Sequence, residues 1–131
     1  MFRLALAVAL LSVLGWAESK SVTKEDALRL VRAALPDWAL KAGPVYVTPS
    51  SSPDPDFYFF VAGRSNPGGT GLVGHYAVHR TTGDVWDGVI CREYKPETVM
   101  KLQALIRKQL RLTEADYRKL KRQGPYCEFS K

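Results

Sequence analysis

Between Val45 and Cys91 the chain is a succession of short apolar runs separated by turn-forming residues, and this alternation constrains the fold more than any other feature. Val45-Tyr46-Val47-Thr48 is the first run. Residues 49–56 (PSSSPDPD) form a loop dense in turn formers. Phe57 to Ala62 (FYFFVA) is strongly apolar, and residues 63–71 (GRSNPGGTG) make the next loop. Leu72 to Arg80 (LVGHYAVHR) is followed by the tight turn Thr81-Thr82-Gly83-Asp84, and Val85 to Cys91 reads as the last strand. Runs of this length, rich in aromatic and β-branched residues and joined by short turns, predict an antiparallel sheet of three to four strands.

Helical patterns flank the sheet. Thr23 is placed to cap a helix in which Ala27, Leu28, Leu30, Val31, Ala34 and Leu35 follow helical spacing, with Asp26 positioned to answer the cap. Pro36 ends it, because the residue before a proline is pushed out of the helical region. Residues 37–40 read as an added turn. After Pro96 a second helix carries Val99, Leu102, Ile106 and Leu110 on one face, with Lys101, Arg107, Lys108 and Arg111 opposite. Thr113 caps a third helix, answered by Asp116, and Gly124-Pro125 stops it. The order of elements predicts an α+β fold: an N-terminal helix packed on the sheet, followed by a basic two-helix C-terminal tail over residues 95–124. Trp38, Trp86 and the Phe57–Phe60 cluster are assigned to the core, with Trp86 and Ile90 on one strand face beneath the first helix.

The first 17 residues, MFRLALAVALLSVLGWA, are expected to be a secretory signal: Arg3 in front, an apolar stretch from Leu4 to Leu14, and small residues Gly15 and Ala17 before a cut ahead of Glu18. That stretch is 11 residues long, against the roughly 20 needed to span a bilayer. The single mature domain is then residues 18–131, in a secreted or periplasmic setting. In such an oxidising compartment the two cysteines, Cys91 and Cys127, are expected to bond to each other, the alternatives being an intermolecular bridge or a reactive thiol.

Charge is unevenly distributed. Residues 18–91 carry 7 basic and 8 acidic side chains, whereas residues 92–131 carry 11 basic and 5 acidic. The excess marks Lys101, Arg107, Lys108 and Arg111 as candidates for contact with an anionic envelope component or an acidic protein; the alternative is a solvated helix face that keeps the chain soluble. Export argues against nucleic acid. In the loop GRSNPGGT, Arg64 and Asn66 are further candidate partner contacts. That loop lacks the lysine of a phosphate-binding loop and joins strands instead of opening a helix.

Catalytic and metal chemistries find little footing. His75 and His79, on one strand, stand about 13 Å apart, too far to share an ion. Two cysteines cannot make a four-thiolate zinc site. Asp84 and Asp87 point to opposite faces of a strand, and no Gly-x-Ser-x-Gly elbow is present. No cofactor, metal or catalytic residue is assigned.

The helix TKEDALRLV, the strand FYFFV and the closing hairpin HYAVHRTTGDVWD together resemble the PepSY-like and cystatin-like small secreted domains, from Thr23 to Asp87. The resemblance implies binding or inhibition in place of catalysis. The chain departs from those families in lacking the glutamine-containing hairpin of cystatins and in adding the basic tail. The expectation is a non-enzymatic binding module, an inhibitor of an envelope or secreted enzyme. A small envelope hydrolase or accessory enzyme, and an electrostatic binder of an anionic cell-surface polymer or membrane, are the alternatives.

Overall fold

The computed structural model describes residues 20–65 and 71–127. The expected signal segment 1–17 and the loop residue Asn66 lie outside the described residues. Five strands, β1 (Tyr46–Ser50), β2 (Phe57–Gly63), β3 (Leu72–His79), β4 (Val85–Asp87) and β5 (Glu93–Tyr94), form one antiparallel sheet in sequential order β1-β2-β3-β4-β5. Among the described residues four helices accompany it: α1 (Lys24–Ala34), the short α2 (Asp37–Lys41), α3 (Glu97–Gln109) and α4 (Glu114–Leu120). The class is α+β, with a fifth strand beyond the three to four expected.

The extra strand arises where the sequence suggested one strand from Val85 to Cys91. β4 stops at Asp87 because the Asp87 carboxylate turns back on its own chain, Oδ1 accepting from the N–H groups of Val89 (2.8 Å) and Ile90 (3.0 Å). Asp-Gly is strong turn chemistry, and here it converts the second half of the expected strand into a loop that returns as β5.

One face of the sheet is covered by helices. In α1 the buried residues Ala27, Leu30, Val31 and Ala34 recur at helical spacing. They pack with Phe60 and Ala62 of β2, Tyr76 and Val78 of β3, Val85 of β4 and, from α3, Val99 and Ile106. Each fully buried aliphatic or aromatic side chain contributes about 1.5–3 kcal/mol, an upper value because unfolded chains already bury some surface. Thr98 of α3 donates to the Ala33 carbonyl (2.9 Å), fixing the two helices together.

The opposite face holds Phe57, Phe59, Ala77 and Trp86, closed by Cys127. This corrects two assignments. Trp86 alternates with Val85 along β4, so it faces away from α1, and Ile90 is an exposed loop residue. Trp38 is 56% exposed on α2, outside the core.

A buried polar chain joins the last helices to the β3–β4 turn. Gly83 supplies the positive φ (74°) that lets residues 80–84 double back. Asp84, 2% exposed, accepts from Arg107 Nη2 (2.9 Å), from the Tyr117 hydroxyl (2.9 Å) and from Thr82 Oγ1 (2.9 Å). Gln103 and Arg107 Nε donate to the carbonyls of Gly83 (2.9 Å) and Thr82 (2.8 Å). Burial and the Asp84 charge push the Tyr117 hydroxyl up to about 12, so it remains a donor to Asp84.

Candidate partner-binding surface

The loop between β4 and β5 is short and held at many points. Asp87 N–H donates to Arg92 O (2.7 Å), Gly88 N–H to His75 O (2.9 Å) and Arg92 N–H to Ile90 O (2.9 Å). The Tyr94 hydroxyl donates to Asp87 Oδ2 (3.1 Å), while Oδ1 holds Val89 and Ile90. Burial first, then the Asp87 charge, raises the Tyr94 hydroxyl to about 12, which keeps it protonated and donating. Cys91 and Cys127 form a disulfide, with Cα atoms 4.7 Å apart, tying the loop to the end of the chain.

This anchored loop presents two aliphatic side chains to water. Val89 is 58% exposed and Ile90 55%. Tyr126, beside Cys127 in sequence, is also exposed. A loop already fixed in one conformation loses little entropy when a partner closes over it. Covering two aliphatic side chains on such a loop returns about 1.5–3 kcal/mol for each one fully buried.

The residues marked from sequence are dispersed. Arg64 follows β2, its N–H donating to Gly71 O (2.6 Å) and its guanidinium 5.6 Å from the centre of the exposed Trp38 ring. Lys101 is exposed and pairs with Glu97 (2.9 Å), and Lys108 is exposed on the same helix. The helix α3 also exposes Met100 and Leu105, so its outer face is mixed and not a purely basic stripe. Arg107 is not part of that face. It turns inward to Asp84, because a buried carboxylate needs a charge partner and residue 107 stands one turn beyond the buried Gln103.

Arg111 has a structural task. At φ 54° it occupies the left-handed position that ends α3, where its N–H donates to Lys108 O (3.1 Å) and Leu112 N–H donates to Arg107 O (2.9 Å). These two bonds make a Schellman cap. Among the described residues no hydrogen bond, ion pair or ring contact joins Arg64 to the cations of α3.

Sequence reasoning passed over Val89 and Ile90 by absorbing them into a strand. The signal that identifies them is Asp87-Gly88, which breaks the strand, with a cysteine three residues beyond Gly88. Among the described residues no group of three or more His, Cys, Asp or Glu side chains is placed to hold a metal ion. His79 is spent on structure: its Nδ1 faces the Thr82 N–H (3.2 Å) and its ring meets Phe57 edge-on at 5.1 Å.

No protein-family model matches the sequence, and comparison with curated proteins gives no match. A solved structure shares the fold. It is a chain of a type VI secretion system effector–immunity complex from Pseudomonas protegens, similar with a TM-score of 0.60 and 24% identity over 76% of this chain and 86% of that one. Among the described residues no helix is long and apolar enough to cross a membrane.

Proposed function

We propose that this protein is a small, non-enzymatic binding module of the periplasm or cell exterior that inhibits a protein partner, in the manner of an immunity protein toward its effector. The observation that carries the reading is the β4–β5 loop, in which Val89 and Ile90 stand exposed while disulfide, carboxylate and backbone bonds hold the loop still. A monomer gains nothing from two solvated aliphatic residues on a pinned turn, whereas an apolar pocket on a partner gains a preformed anchor. The fold shared with a chain of an effector–immunity complex supports the same reading, as does the commitment of Asp84, His79 and Arg107 to structural bonds.

The test pairs the oxidised protein with candidate secreted toxins and enzymes, starting with any encoded beside its gene. Complex formation is followed by calorimetry, and protection by growth when both are exported. Val89→Asp with Ile90→Asp should abolish binding and protection while leaving thermal unfolding unchanged. Undiminished binding by that double variant overturns the proposed anchor, and catalytic turnover of a wall or peptide substrate by the protein alone overturns the non-enzymatic reading.

A further inference from the structure

Arg80, immediately after β3, is fixed in place without an ionic partner among the described residues. Its N–H donates to Asp56 O (2.9 Å), and its carbonyl accepts from Val22 N–H (2.7 Å). Its guanidinium carbon lies 4.2 Å from the centre of the Tyr58 ring. The Arg80 Nε is buried and has no hydrogen-bond partner among the described residues. That nitrogen is out of reach, but the two terminal nitrogens of the same guanidinium are not buried and take no hydrogen bond among the described residues, so they are open to an acceptor that arrives from outside.

Two open clefts meet at this side chain. One, of about 550 Å³, lies between the β3–β4 turn and the end of α4, and its rim carries Lys119 and Lys121. The other, of about 340 Å³, follows the end of β1 and the start of α1, with Lys24 on its rim and the hydroxyls of Ser50 and Ser52 along it. Arg80 lines both. Lys24, Arg80, Lys119 and Lys121 make no ion pair among the described residues. Among the described residues Asp56 is the one acidic side chain of the two linings, and it is already held by Arg122. Four unpaired cations around one groove create a local positive field that an anion relieves.

We propose that the groove from Lys24 past Arg80 to Lys119 and Lys121 takes an acidic, extended segment of a partner protein, one carboxylate docking on the Arg80 guanidinium. The shape favours a polypeptide. The cations are strung along two joined clefts, and apolar surface from Tyr58 and Leu120 lines the same clefts, suiting side chains that alternate acidic and apolar character. A planar guanidinium held against an aromatic ring is pre-organised for a carboxylate fork. The proposal rests on the partner being a protein, but it does not require Val89 or Ile90.

The test uses ¹⁵N-labelled, oxidised protein and a capped octapeptide rich in Asp, Glu and Leu. Its counterpart carries Asn and Gln in place of the acids. The acidic peptide should shift the Arg80 Nε–H resonance and the amides of Thr81 and Ser52, with affinity falling as salt is raised. Arg80→Gln should weaken binding about 10-fold or more, the scale of losing one hydrogen bond to a charged group. Lys119→Gln with Lys121→Gln, at the exposed end of α4 and its C-cap, gives a second loss that does not disturb the Tyr58 contact. The Val89→Asp, Ile90→Asp protein should bind the peptide normally, so this groove and the loop anchor fail or succeed separately. Equal binding of the amide peptide, an equal loss in Lys101→Gln with Lys108→Gln, or capture of phosphatidylglycerol vesicles by these residues without peptide binding would each overturn the proposal.

Discussion

The helix-covered face of the sheet and the face beneath the C-terminal segment bury similar aromatic and aliphatic side chains but hold them by different means. On the first, α1 and α3 close over the sheet in a continuous apolar cluster of 13 buried residues among those described, to which the two helices contribute six placed by helical spacing. On the second, five buried residues suffice. They are held down by a disulfide, by Gly124 lying flat on the Trp86 indole, and by Arg122, which bonds to both Asp54 and Asp56. A helix recruits its neighbours by hydrophobic burial. An irregular strip from Lys121 to Cys127 has no amphipathic face to offer, and it is fastened by a covalent bond and ion pairs instead. The difference teaches where the fold is sensitive to redox state and pH.

The largest effect is expected at the helix-covered face. Phe60→Ala empties a fully packed site between β2 and α1 and should cost roughly 3–5 kcal/mol, lowering global stability in denaturant titration with every spectroscopic probe moving together. Next is the bond on the other face. Replacing both Cys91 and Cys127 with serine releases a loop of sequence separation 36, worth up to about 4 kcal/mol on the chain-entropy account. Unlike the first variant, it should strip amide protection from the β4–β5 loop and the segment after α4 before β2 and β3 lose theirs. If β2 and β3 exchange as early as the tail, the two faces are one cooperative unit and the contrast fails.

A smaller change sharpens the contrast at one atom. A methyl on Gly124 would lie 2.5 Å from the Trp86 ring, so Gly124→Ala should cost about 1–3 kcal/mol through overpacking. Its signature is an altered near-ultraviolet tryptophan band with far-ultraviolet helix signal intact; an unchanged tryptophan band would show that the segment does not press on the ring.

The smallest effect is acid sensitivity. Burial foremost, with the Arg122 charge adding to it, holds the His79 imidazole below its ordinary 6.5 against the nearby carboxylates. A depressed folded-state value means that the unfolded chain takes up the proton first. The stabilisation is complete above pH 6.5 and is lost as pH falls from there through the folded value. Protonation would also place a hydrogen on Nδ1 facing the Thr82 N–H. Asp54 extends the same trend to lower pH. Desolvation would raise it, but the bonds from Arg122 and the Asp56 N–H, with the Arg122 charge, win and hold it below 3.8. Its contribution is therefore present above that value and lost beneath it. Unfolding free energies across pH 7 to 5 should decline in the native protein and stay level in His79→Gln; parallel slopes would remove His79 from the account.

The helical half of the molecule was legible in sequence because Ala27, Leu30, Val31 and Ala34 announce a buried stripe by spacing, and Thr113 with Asp116 spells out a capping box that the structure contains. The strands Phe57–Gly63 and Leu72–His79 were legible for the same reason, as apolar runs between turn formers. The candidate site was not. Val89 and Ile90 are β-branched and look like strand residues unless Asp87 is read as the acceptor that bends the chain. Arg107 looks like one more surface cation, because its partner Asp84 lies 23 residues away and nothing local reveals that the turn buries it. Trp86 was assigned to the correct environment but the wrong side, since a strand of three residues is too short for alternation to say which face looks toward the helices.

The disulfide also sets how the molecule bears load. Helices α3 and α4 lie wholly inside the ring closed by Cys91 and Cys127. A pull applied beyond Cys127 therefore crosses the sulfur atoms to the β4–β5 loop and the sheet, bypassing both helices. Tension from a partner gripping the chain end would reach β4 without first unwinding α4, and the basic helices stay slack while the sheet takes the strain.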